Sequence, residues 1–160
     1  MTKSALPADI LESINASAED ALKMLQLSAD NQPNQVVATI DLFVRGWQAN
    51  PDEAQKAQHH QRVVLSLSSL WGIQLNKQFG WDWAAKQLKD GETLGVFSPD
   101  NSMAIYSVKY LNFTMQNPAV IPTIKLAFNM IKDNALPKFP ADSFTDVMSG
   151  VRHIVPPAKI

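Results

Sequence analysis

The chain contains no cysteine. Disulfide scaffolds, thiolate zinc sites and cysteine nucleophiles are excluded together, and the core must hold by packing alone. Long hydrophobic runs are also missing, since no window approaches the roughly 18 consecutive apolar residues of a membrane span. The opening residues, MTKSALPADILES, are interrupted early by Asp9 and Glu12 and hold no apolar stretch of leader length. Charge of one sign is scarce: 14 basic and 15 acidic residues leave a net charge of −1. A dedicated nucleic-acid binder needs a far stronger basic field. The six glycines are scattered singly, so there is no P-loop, no G-x-G-x-x-G turn and no G-x-S-x-G elbow. These absences lead us to expect a cytoplasmic protein with no cofactor, no metal, no nucleic-acid partner and no membrane partner.

What is present is enough for one domain. The 160 residues are 46% apolar and 18% charged, without low-complexity tracts, so a sizeable core is affordable and disorder is not expected. The charge is unevenly spread. Residues 1–58 hold four basic and eight acidic side chains, and residues 59–160 hold ten basic and seven acidic. An acidic first third is the side on which a basic partner would land.

Local patterns give an α+β fold within a single domain, 1–160. Residues 1–80 read as helices. Ser17 is a candidate N-cap for Ala21, Leu22, Leu25 and Leu27, and Val36, Val37, Ile40, Phe43, Val44 and Trp47 recur at helical spacing. Asn50-Pro51-Asp52-Glu53 is the strongest start signal, with asparagine as cap and proline in the first turn. That helix should run to Phe79, burying Val64, Leu67, Leu70, Trp71, Leu75 and Phe79, and stop at Gly80. The period then changes. Asp90-Gly91 and Ser98-Pro99-Asp100-Asn101 are turn signals, and Trp81–Leu88, Thr93–Phe97 and Ser102–Tyr110 around them predict a three-stranded antiparallel β-meander over 81–111. Ala84–Leu88 also has good helix propensity, which leaves a short helix as the alternative to the first strand. A C-terminal helix over 118–134 is expected to pack on the sheet. The Pro-rich tail, 135–160, reads as a surface strap with one helical stretch at Ser143–Ser149, Gly150 as its stop, and a Pro156-Pro157 pair near its end.

Few titratable groups can converge. His59 and His60 are adjacent on a helix and point about 100° apart, so they do not chelate one metal. His153 has no visible partner. Asp82 and Glu92 could form a glycosidase-like pair only if the hairpin brought them together. In a strand, Trp81 and Trp83 share a face, with Asp82 on the other. Core is the expected role for the two tryptophans, because a sheet carrying helices needs large residues in the inter-layer gap. The alternative is an aromatic cleft of Trp81, Asp82, Trp83 and Tyr106 that binds or hydrolyses a small ligand.

The run Leu70-Trp71-Gly72-x-x-Leu75, then Phe79-Gly80-Trp81-x-Trp83 and Gly95-Val96-Phe97-Ser98-Pro99, resembles a family of small bacterial domains of the toxin-immunity or accessory type. The likeness covers about residues 60–135 and lies in pattern, so it supplies no catalytic residue. It implies a non-enzymatic protein that binds and blocks a protein partner such as a toxin. Asp9, Glu12, Glu19, Asp20, Asp41, Asp52 and Glu53 would then form the partner-binding face, Asp41, Asp52 and Glu53 among its foremost members. Association of the chain with itself is a further alternative.

Overall fold

The computed structural model describes residues 3–154, and the Pro156-Pro157 pair lies outside them. Among the described residues, six helices and five strands form an α+β fold: β1 (Lys3–Ala5), α1 (Ala8–Leu25), α2 (Pro33–Ala49), α3 (Glu53–Phe79), β2 (Asp82–Leu88), β3 (Gly91–Phe97), β4 (Met103–Ile105), α4 (Ser107–Met115), α5 (Ile124–Lys132), β5 (Thr145–Asp146) and α6 (Val147–Arg152).

The centre is α3, 27 residues long, or about 40 Å at 1.5 Å per residue. Its start is set by Asp52, whose carboxylate accepts the Gln55 N–H at 3.1 Å. The cap is therefore Asp52, two residues beyond the expected Asn50; the Asn50 side chain instead accepts the Asp52 N–H at 2.9 Å and shapes the approach. Its end is Gly80 in the left-handed region at φ 72°, as the sequence predicts. Helices α1, α2 and α4 wrap α3. This enclosure explains why Ser66, Ser68, Ser69, Gly72 and Gln74 are buried along with Val64, Leu67, Leu70, Trp71 and Leu75.

The sheet is larger than the expected meander. It has five strands in the order β1-β2-β3-β4-β5, antiparallel except for the parallel β4–β5 pair. Residues 82–88 are a strand, so the helical alternative falls: seven consecutive pairings with β3, from Asp82–Phe97 to Leu88–Gly91, outweigh a local propensity of tenths of a kcal/mol. The third predicted strand is cut to Met103–Ile105, and the chain turns into α4 at Ser107. β1 and β5 escape the sequence patterns because they are three and two residues long.

Three further expectations are corrected. Helix α1 begins at Ala8 behind Pro7, well before Ser17. Proline with extended backbone is a suitable lead-in, and the exposed Ile10 and Leu11 blur the helical period of the first turns. Helix α5 packs on α2 and α6, while α3, α4 and α6 are the helices seen to reach the sheet. Gly150 lies inside α6 and does not stop it, and the expected 143–149 helix starts only at Val147, where Asp146 accepts the Ser149 N–H at 3.2 Å.

The two sheet faces differ. Trp83, Val96 and Ile105 are in register on one face and join the main core with Trp71, Trp81, Leu111 and Phe128. The opposite face carries a separate small cluster, Ala84, Phe97, Ala104 and Tyr106, with Leu88 and Phe144 against it.

Candidate functional site

The sheet itself divides the aromatic residues singled out from the sequence. Trp81 is 2% exposed and stacks toward Phe79, with ring centroids 6.0 Å apart. Trp83 is half-buried and lies with its six-membered ring edge over the backbone of Gly72. Tyr106 sits on the other face, beside Gly95 and edge-on to Phe97 at 5.9 Å. The three rings therefore do not line a common cleft. Asp82 is exposed and pairs in register with Phe97, whereas Glu92 pairs with Gln87 at the far end of the same ladder. Five residues of strand separate the two acids, about 17 Å at 3.3 Å per residue, and they point to opposite faces. Glycosidase carboxylates work at roughly 5–9.5 Å, so this ladder does not assemble such a pair.

The histidines are likewise apart from any metal set. His60 Nε2 lies 2.7 Å from Asn112 Oδ1 and 3.1 Å from Gln116 Nε2, and its ring is near Trp47. One nitrogen cannot donate to the first and accept from the second at once, so the tautomer selects between them. Among the described residues, no three His, Asp or Glu side chains gather where they could hold a metal ion. No described helix is long and apolar enough to cross a membrane.

The acidic residues of the first third divide by role. Asp41 is 6% exposed. It bonds Arg45 Nε at 2.8 Å and accepts the Lys125 N–H at 3.1 Å, which ties α2 to the first turn of α5. That carboxylate is internal and does not present itself to a partner. Asp52 is used as the α3 cap, and Glu53 bonds the buried Lys56 ammonium at 3.1 Å; both remain exposed. Asp20 joins α1 to α3 through Arg62 at 3.2 Å and Ser66 at 3.1 Å. The Arg62 hydrogen bond, ahead of the Ser66 bond and the charge of Lys23, holds the Asp20 carboxyl below its ordinary value against a smaller opposing effect of burial. Asp9, Glu12 and Glu19 stand exposed on α1. At 100° per residue they fall within an arc of about 80° on the outer side of that helix.

Two large apolar residues of the same helix are also left in solvent, Ile10 at 37% and Leu11 at 39% exposure, on the flanks toward Ile14 and turned away from the acidic arc. In the first half of α1 only Ile14 is buried. The uncovered aliphatic and acidic side chains of α1, on different sides of the helix, are the most distinctive surface feature among the sequence-predicted residues.

The open sheet face holds a second feature that sequence patterns did not reveal. A pocket of about 480 Å³ is lined by the cations Lys86 and Lys109, the acids Asp142 and Asp146, and Leu88, Tyr106 and Phe144 among others. Lys86 is 3% exposed, its Nζ makes no hydrogen bond or ion pair among the described residues, and the ammonium lies 3.8 Å from the Phe144 ring centroid. Burial, with a smaller contribution from the charge of Asp146, pushes the Tyr106 hydroxyl pKa upward. Alternation along Asp82–Leu88 does place Lys86 opposite Trp83. Nothing in the strand announces that Phe144, 58 residues later in number, will cover it. Against protein-family models, curated proteins and solved structures the chain finds no match.

Proposed function

We propose that the chain is a non-enzymatic binding protein that acts on a protein partner in the bacterial cytoplasm, most concretely as an immunity-type inhibitor covering a basic surface of a toxin. The observation that carries this is the exposed surface of α1. Asp9, Glu12 and Glu19 hold its outer side, and Ile10 and Leu11 are uncovered on the flanks toward Ile14, about 100° or more round the helix from Asp9 and Glu12. Protein interfaces combine an apolar centre with a polar rim, and the charged rim steers the encounter and selects the partner's sign. A second copy of the chain is a poor occupant, because a two-fold contact on this patch would set acidic side against acidic side.

The test is association with the product of the adjacent reading frame, measured by stopped flow at two salt concentrations. Asp9→Lys, Glu12→Lys and Glu19→Lys together are expected to slow association at low salt by at least about tenfold and to flatten its salt dependence. A wild-type rate and salt slope in the triple variant, or no association with that product at all, would remove the proposal. Light scattering on the wild-type chain separates the self-association reading, for which the expected result is a monomer.

A further inference from the structure

The open face of the sheet sets two lysines side by side. Lys3 and Lys86 are direct cross-strand neighbours on β1 and β2. Like charges in that position repel. Lys3 swings away, donating to Asn101 Oδ1 at 2.7 Å with its ammonium 5.3 Å from the Phe97 ring. Lys86 has no such outlet and is held over Phe144. The ring face offsets part of the desolvation of an ammonium but supplies no acceptor for its three N–H groups.

The two acids at the pocket do not fill that role. Asp146 is committed to the N-terminus of α6 through the Ser149 N–H, and Asp142 is in contact with Asn101 Nδ2. Neither lies within ion-pair distance of Lys86. Lys109, the other cation of the lining, is 3.9 Å from Asp90. Among the described residues, Lys86 is the cation of the pocket lining without an acceptor, and Leu88, Tyr106 and Phe144 line the same pocket.

We propose that this pocket binds a carboxylate borne on a small apolar body, with Lys86 as counter-ion and Leu88, Tyr106 and Phe144 as walls. A single ammonium matches a monoanion. A phosphate asks for several convergent donors, such as an arginine fork or a row of backbone N–H groups, and the lining offers neither. The carboxylate can come from a free organic acid or from the C-terminus of a peptide, which present the same group. The site is separate from the α1 patch, and its failure would leave that patch untouched.

The experiment is an amide-shift titration of the full chain with benzoate, with benzamide as the uncharged match, and with a leucine-ended pentapeptide in free-acid and amidated forms. Benzoate is expected to shift Lys86, Tyr106 and Phe144 saturably, with a dissociation constant on the order of 1 mM for so small a probe. Benzamide should bind at least about tenfold more weakly, since a charge-assisted contact is lost. Lys86→Met keeps the stem and should abolish the difference between benzoate and benzamide, while Lys86→Arg should retain it. A free-acid peptide that outcompetes benzoate, with its amide inactive, assigns the source to a chain end. Benzoate binding with both peptides inert assigns it to a free acid. Equal binding of benzoate and benzamide to the wild-type chain, or no saturable shift with any acid, overturns the proposal without any variant.

Discussion

Gly72 is the tightest joint between the helical layer and the sheet, and replacing it with alanine gives a prediction whose sign can be reversed. A Cβ at this position would lie 2.0 Å from Trp83 Cζ2 and 2.6 Å from two other atoms of the same ring. Either the indole swings out of the gap or α3 shifts from β2. A tryptophan buries about 150–250 Å², so losing half of its contact at about 25 cal/mol per Å² costs roughly 2–3 kcal/mol. Alanine returns about 1 kcal/mol of helix propensity. The net for Gly72→Ala is a loss of about 1–2 kcal/mol, or a fall in Tm of roughly 2–8 °C for a chain of this size. With Trp83→Ala already present there is no ring to strike, and the same glycine replacement should now stabilise by up to about 1 kcal/mol. Urea unfolding followed by circular dichroism on the four chains of the cycle measures this. If Gly72→Ala destabilised equally in both backgrounds, Trp83 would not be what the methyl meets.

Two other substitutions test internal joints. Asp41→Ala removes the acceptor of both Arg45 and the Lys125 N–H; a loss of about 2–3 kcal/mol in urea unfolding is expected, and a change within 0.5 kcal/mol would show that the α2–α5 tie is dispensable. The Asp20 pair predicts a pH dependence. Its folded pKa is lowered, so its stabilisation is present above the ordinary carboxylate value of about 3.9 and is lost as pH falls through the folded value. Because Asp20 and Arg62 are both partly solvated, the contribution is at most about 1 kcal/mol. The urea midpoint of Asp20→Asn should lie below wild type at pH 7 and merge with it once the pH has fallen below the lowered folded value; a gap that persists in strong acid contradicts the ion-pair account.

The long elements were legible because their signals are redundant. In α3, an apolar stripe, an Asn-Pro start signal two residues from the true cap Asp52, and a left-handed glycine agree over 27 residues. The β2–β3 ladder follows from two β-rich runs around an Asp-Gly turn. What was hidden depends on partners distant in sequence. β5 is two residues that become a strand only because Met103 and Ala104 lie beside them. Asp41 looks like any outer acid of an amphipathic helix until α5, more than eighty residues on, closes over it. Tyr106 belongs with Trp81 and Trp83 in the alternative aromatic cleft, and period-two alternation could not tell that the sheet would separate it from them. The Lys86 pocket was out of reach for the same reason, since half its lining comes from the tail segment that pairs with β4.

The most direct measurement of the central claim is hydrogen exchange on the chain with and without the product of the adjacent reading frame. Contact through the first half of α1 predicts slowed exchange across residues 8–16, with β2 and β3 unchanged. Protection confined to the sheet, with 8–16 exchanging as in the free chain, would contradict the account.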